Sequence, residues 1–452
     1  MNKSIFHKKE TFITLFLAAA FLLPVYAQDG ASSSVLEDWR NTLKFGIDSQ
    51  VLEVIPLLKE QKETRLNGEL VSVYQRTLSP KVKQAVLGFF TEMKSSEGAP
   101  LALSVLKAYQ DNSDDIVTAA IRYASFGMAK ASEELVQAVA QIAEDRADPV
   151  GQSAVRALGK IGGDAEASVL LEKLQDGRTS PAMKESIVTA LGDLGSVTAS
   201  NILIRMLRDT AADRALRWQA ADALGKIGDP KAVGPLTAVL SEDDSVLRAY
   251  AISALSKFDD SSVPTLLDSA LRDSFWRVRV AAIQGVAERG VKESVPAIIY
   301  KAKYDPELKV RTEALSALAK LRTGEAKKFL SDYVSDEKNP PAARNSALHA
   351  MVENNLSDWM GTLRDVIQQE WDKPDSPVLA YLAKALSTQK GNFLASTFSH
   401  FLQHPSYLIQ IYGLHGIGLN EMSQFRDTVE KMTKDPFHPA VQKNAAASLE
   451  KL

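Results

Sequence analysis

The chain has 452 residues, 53 of them Lys or Arg and 56 Asp or Glu, for a formal net charge of −3. So balanced a surface argues against nucleic acid, whose binding needs concentrated Lys and Arg, and against a polybasic membrane-surface role. The absence of cysteine excludes disulfides, a thiol nucleophile and a lipidated cysteine.

The first predicted element is a signal peptide over residues 1–27. Lys3, Lys8 and Lys9 precede an apolar run from Thr11 to Val25, and Val25-Tyr26-Ala27 stands where a signal peptidase reads. Cleavage is expected after Ala27. An uncleaved anchor is disfavoured, because about 15 apolar residues interrupted by Pro24 fall short of the roughly 20 that span a bilayer. No later stretch is as long without charges, so no stable membrane insertion is expected after cleavage. Removal of Lys3, Lys8, Lys9 and Glu10 leaves 50 basic and 55 acidic side chains. A cysteine-free exported chain, large enough to bury a core without disulfides, suits a bacterial periplasm. A periplasmic or secreted location is therefore expected.

Residues 28–34 read as a polar leader. From residue 35 to 147 the pattern is helical but irregular, as in Val51 to Leu58, Val82 to Phe90 and Leu101 to Leu106. Val117 to Phe126 and Leu135 to Ile142 fit one more helix pair. These predict three degenerate repeats, since terminal units, with one face in water, are atypical. No stretch alternates as a strand does, and no linker marks a second globular domain.

From residue 148 to 452 the chain repeats. Ala157-Leu158-Gly159-Lys160-Ile161-Gly162 returns 33 residues on as Ala190-Leu191-Gly192-Asp193-Leu194-Gly195, and 33 further as Ala223-Leu224-Gly225-Lys226-Ile227-Gly228. Weaker copies follow at steps of 31 to 35 residues, beginning at Ala254, Gly285, Ala317, Ala350, Ala385, Gly416 and Ser448. Each unit reads as two helices. Leu247, Ala251, Ala254 and Leu255 share one face of a helix A. A Gly, Asp or Ser then breaks the run, and Pro235, Pro264 and Pro296 open a helix B, whose core spacing shows in Leu203, Met206 and Leu207 and in Leu267, Ala270 and Leu271. Neither helix can bury its stripe alone, so stacking is obligatory. The expected fold is all-α, a right-handed α-solenoid of stacked helix pairs. The terminal amphipathic helix, Val441 to Leu452, is expected to cap the array or to dock another subunit.

The pattern Asp-x-x-x-x-Val-Arg-x-x-Ala-x-x-Ala-Leu, carried by Asp305, Val310-Arg311, Ala314 and Ala317-Leu318, resembles HEAT repeats of the phycobilisome-lyase type over roughly residues 148–452. The resemblance implies an Asp–Arg ladder between successive repeats, assigned to Arg248, Asp273, Arg279, Asp305 and Arg311, with Glu242 in an acidic slot. It does not imply a lyase, and no bilin pocket is identifiable.

Catalytic motifs are missing: no His-Glu-x-x-His, no glycine-rich phosphate loop after a strand, no strand-turn-helix around a Gly-x-Ser-x-Gly. His349, His400, His404, His415 and His438 all lie late. His400 and His404, four apart, could face one metal, but His349 and His415 sit two repeats apart, on the order of 20 Å. Surface or hydrogen-bonded histidines are the plainer reading, and no metal or cofactor is expected. Trp218, Trp276, Trp359 and Trp371 read as packing wedges between repeats.

What remains is a stripe of outward slots on the B helices: Glu172/Gln175, Arg205/Arg208, Ala238/Ser241, Ser269/Arg272, Lys301/Tyr304, Asp332/Ser335, Asp365/Gln368, His400/Gln403 and Lys431/Lys434. Arg205, Arg208, Arg272, Lys301 and Tyr304 are the candidate docking residues for an acidic segment of a protein partner; an ordinary solvated face is the simpler alternative. Two functions compete: an exported, non-enzymatic scaffold that binds proteins, and an enzyme or ligand carrier, bilin-lyase-like for example.

Overall fold

The structure is a computed structural model that describes residues 33–373 and 375–452. The expected signal peptide and residues 28–32 of the polar leader lie outside the described residues. Residues up to 196 and from 197 onward form two compact units.

In the first unit, α1 (Ser33–Phe45) precedes the pairs α2/α3 (Asp48–Glu60, Asn67–Arg76), α4/α5 (Pro80–Met93, Gly98–Lys107), α6/α7 (Asp114–Phe126, Glu133–Asp145) and α8/α9 (Pro149–Ile161, Asp164–Gln175), then α10 (Pro181–Leu194). In the second, α11 (Ser200–Arg208) precedes α12/α13 (Arg214–Ile227, Val233–Ala238), α14/α15 (Ser245–Leu255, Val263–Ala270), α16/α17 (Trp276–Arg289, Val295–Tyr304) and α18/α19 (Leu308–Leu321, Gly324–Ser335). Next come α20/α21 (Pro341–Glu353, Met360–Glu370), α22/α23 (Pro377–Ser387, Ala395–Phe401), α24/α25 (Tyr407–Leu419, Arg426–Lys431) and α26 (Pro439–Leu449). There is no strand among the described residues.

Even-numbered helices are the A helices. They pack on one another in series, α2 to α10 in the first unit and α12 to α26 in the second. The odd-numbered B helices cover them from one side. This is the α-solenoid of stacked helix pairs that the repeats require.

Local chemistry sets the helix ends. Ser180 caps α10 and Asp244 caps α14 by accepting backbone N–H groups, the role for which short oxygen-bearing side chains are preferred. Pro264 and Pro296 stand in the first turn of α15 and α17; Pro235 sits one position deeper in α13, which starts at Val233. The second glycine of the repeat motif ends helix A in the left-handed region at Gly195 (φ 67°) and Gly228 (φ 73°), where a side chain would be strained.

The core follows the predicted faces. Leu247, Ala251, Ala254 and Leu255 are buried with Leu267 and Leu271, whereas Met206 is only half-buried. The first glycine of the motif has a different task. A Cβ at Gly159 would lie 2.8 Å from Ala190 Cα, and one at Gly225 would lie 2.6 Å from Ala254 Cα. Successive A helices thus approach to backbone contact.

Gly225→Ala must therefore push α12 and α14 apart. We expect a loss of about 1–3 kcal/mol in urea unfolding. Gly234→Ala, where a Cβ meets nothing within 4 Å, should leave stability unchanged or raise it by about 0.5–1 kcal/mol.

Candidate functional site

The B helices bury residues three and four apart, such as Leu203 and Leu207 in α11, and so turn the slots between them outward. Arg205 and Arg208 are exposed, and among the described residues neither forms an ion pair. Ala238, Ser241 and Ser269 are exposed too, leaving small residues between those arginines and Arg272. Arg272 is 70% exposed while its guanidinium lies 3.1 Å from the Asp268 carboxylate one turn back. Tyr304 is 65% exposed.

Lys301 departs from the expected stripe. Its side chain is only 16% exposed and its Nζ lies 3.4 Å from Asp305, four residues on. The buried carboxylate draws the ammonium inward, so Lys301 serves the repeat junction. Tyr300, outside the predicted slots, is 60% exposed, and its ring centroid lies 5.1 Å from that of Tyr304. Its i, i+4 relation to Tyr304 was the available signal. The open set is thus Arg205, Arg208, Arg272, Tyr300 and Tyr304.

The repeat junctions are ionic. Arg217 donates from Nη2 to both oxygens of Glu242 (2.8 and 2.9 Å). Arg248 makes a two-pronged pair with Asp273 (2.8 and 2.9 Å), as Arg279 does with Asp305 (2.8 and 2.7 Å). Arg344 reaches Glu370 at 2.8 Å. Arg248 and Arg279 also bond the backbone carbonyl of their own repeat's acid, Glu242 at 2.8 Å and Asp273 at 2.9 Å. Each therefore ties two successive repeats.

Arg311 breaks the sequence. It bonds the Asp305 and Pro306 carbonyls but pairs with no carboxylate among the described residues. The acids at the matching distance are engaged elsewhere. Asp336 accepts the Lys338 N–H, and Glu337 pairs with Lys373 at 2.8 Å. Arg217, Arg344 and Glu370 were not among the assigned rungs. Their signal was spacing, since Arg217, Arg248, Arg279, Arg311 and Arg344 stand 31 to 33 residues apart.

Four of the late histidines serve packing or hydrogen bonding. His404 is buried; its Nδ1 accepts the Ser406 N–H at 3.0 Å, which leaves Nε2 to donate to the Trp371 carbonyl at 3.0 Å. His400 stacks on Trp371 with centroids 3.6 Å apart, and burial, then the neighbouring His404, pushes its pKa down. His438 caps α26 and stacks on Tyr407, His415 Nδ1 lies 3.1 Å from the Ser387 carbonyl oxygen, and His349 is exposed. No group of three or more metal-ligating side chains gathers among the described residues. The tryptophans pack as wedges or ties: Trp218 donates to Asp244 at 3.0 Å, Lys309 lies over Trp276 at 5.0 Å, and Trp359 is buried. An apolar cavity of about 100 Å³ between α7, α8 and α9, lined by Ala140, Leu158, Val169 and Leu170, is well below the roughly 300–1,000 Å³ of ligand sites, whereas a hollow of about 560 Å³ lined by Asp427, Glu430, Lys431, Lys434 and Phe437 reaches that size with a mostly charged lining.

The family model described as spirochaete HEAT repeat protein matches residues 43–448. No curated protein matches the chain. Among solved structures, it is similar to YibA of Escherichia coli (18% identity, 62% of this chain and 100% of that one, TM-score 0.37). It is also similar to the CpcE–CpcF complex of phycocyanin lyase from Nostoc (17%, 63% and 94%, TM-score 0.33) and to human deoxyhypusine hydroxylase (20%, 56% and 94%, TM-score 0.26). Likenesses this slight carry no functional argument.

The ladder makes a pH-dependent prediction. Burial alone would raise the carboxyls of Asp273, Asp305 and Glu370, but their hydrogen bonds and neighbouring cations hold all three below the usual carboxylate range. As pH falls, the unfolded chain then takes up protons first. The ladder's contribution is complete above the unfolded carboxylate pKa of about 4 and is lost as pH falls through the lower folded values. Asp305→Asn should cost about 3–5 kcal/mol at pH 7, because Arg279, with its side chain 7% exposed, keeps a buried charge without its counter-charge. Urea midpoints at pH 7 and pH 3 check both: the variant should lose less on acidification than the parent.

Proposed function

We propose, for a chain that belongs to the spirochaete HEAT repeat protein family, that it is a non-enzymatic scaffold which binds another protein through its B-helix surface. The observation that carries this reading is the open set on α11, just past the end of α15, and on α17: Arg205 and Arg208 exposed without ion-pair partners among the described residues, Arg272 with only a surface partner, and the Tyr300–Tyr304 pair beyond. Exposed guanidinium groups along a repeat face suit the carboxylates of an acidic segment, which they can take in two-pronged hydrogen bonds, while exposed tyrosines supply apolar contact with a polar tip. The other arginines described above are committed to repeat junctions, and His404, His415 and His438 to hydrogen bonds. The reading calls for no cofactor, and it prefers an extended polar surface to an enclosed catalytic or carrier site. The pattern in residues 1–27 supports an exported protein, periplasmic or secreted, so the partner is expected among envelope proteins.

Charge reversal tests it. Arg205→Glu with Arg272→Glu should weaken capture of the envelope partner at least tenfold in a pull-down. Both side chains are exposed, so stability should change by no more than about 0.5 kcal/mol. Capture by the parent should fall as salt rises, since exposed charges are screened within about 8 Å at physiological ionic strength. A double variant that retains the same partner at the same yield would refute this surface.

A further inference from the structure

The three most exposed large apolar side chains of the described residues lie together at one edge of the first unit: Leu78 (94%), Phe45 (82%) and Ile47 (68%). Phe45 and Ile47 flank Gly46 at the α1–α2 connection, and Leu78 sits between α3 and α4. The two loops are stitched together. The Arg76 guanidinium donates to the Leu43 carbonyl, and Thr77 Oγ1 donates to Asp48 at 3.3 Å. The first loop is also tight: a Cβ on Gly46 would lie 2.5 Å from the Thr42 carbonyl oxygen, and the Ile47 N–H is capped by Gln50 at 3.1 Å. The apolar tips are therefore held out by a braced turn.

The same edge is built differently in the second unit. Asp305 stands five residues before the buried Val310 and closes a junction with Arg279; Thr77 stands five before the buried Val82 and pairs with no arginine among the described residues. Where later repeats place an acid, the α3–α4 loop places the Thr77 hydroxyl, followed by Leu78. The flanking charge is basic. Residues 44–48 and 76–83 contain Lys44, Arg76, Lys81 and Lys83 against the single acid Asp48, in a chain whose net charge is −3. Lys44, Arg76 and Lys81 are exposed beside the tips.

We propose that this edge docks on an anionic phospholipid bilayer, with Phe45, Ile47 and Leu78 entering the headgroup–acyl boundary and Lys44, Arg76 and Lys81 meeting lipid phosphates. Protruding apolar tips with a basic rim suit a lipid surface, which accepts them without a preformed pocket. Three side chains fall far short of the roughly 20–30 residues a side in a stable protein interface. The site is distinct from the B-helix stripe and needs few cations, because apolar insertion supplies part of the affinity.

The test is co-sedimentation of the full chain with vesicles of phosphatidylcholine alone or mixed with phosphatidylglycerol. Residues 1–32 are common to every arm. Phe45→Ser with Ile47→Ser and Leu78→Ser should lower the partition onto mixed vesicles at least tenfold, and Lys44→Glu with Lys81→Glu should abolish the preference for mixed over neutral vesicles. Circular dichroism should give the parent melting temperature for both variants. The proposal is overturned if the triple-serine variant sediments with mixed vesicles as the parent does, or if the parent shows no preference for them. It is equally overturned if the triple-serine variant loses self-association or partner capture while its vesicle binding is intact.

Discussion

Close contact between successive A helices is the constraint on which the molecule rests. A helix pair of about thirty residues exposes too much apolar surface to fold alone, and it is covered only when the A helix of the next repeat lies against it. The glycines at 159 and 225 and the alanines at 190 and 254 set that separation at backbone contact. Burial of Leu247, Ala251 and Leu255 then follows from position in the repeat rather than from any single strong bond. At these two steps the glycine of Ala-Leu-Gly meets the alanine of the next copy, one small residue against another.

The ion pairs refine this stacking. Two charges taken out of water gain little net stability when paired, but an unpaired one is costly. The ladder thus penalises a wrong neighbour or register more than it strengthens the right one. Its irregularities obey the same logic. Lys301 moves in toward the buried Asp305, and Arg311 falls back on carbonyl groups where Lys373 has taken Glu337.

A division of labour results. The A helices spend their small residues on contact, the B-to-A loops of the later repeats spend their charges on junctions, and the B helices keep slots in which substitutions cost the fold little. The first two B-to-A loops carry no such rung, and there exposed apolar side chains appear instead. Both candidate surfaces lie where the repeat imposes no packing demand. Surface residues freed from structural duty are where binding can reside.

The periodicity determined most of the architecture by itself. A step of 31 to 35 residues, an apolar stripe on each helix, and Pro and Gly at the breaks leave few alternatives to stacked helix pairs, because only neighbouring repeats can cover the stripes. Spacing also pointed to arginines such as Arg248 and Arg279 as junction residues. What only the tertiary structure decided was pairing. Arg272 and Lys301 are both cations in B-helix slots, yet one faces solvent and the other a buried carboxylate; Arg279 and Arg311 share one motif, yet only the first finds an acid. Short-range pattern fixes which face a side chain occupies, whereas the partner it meets depends on competitors from the next repeat, such as Lys373 and Asp305, that no local spacing reveals.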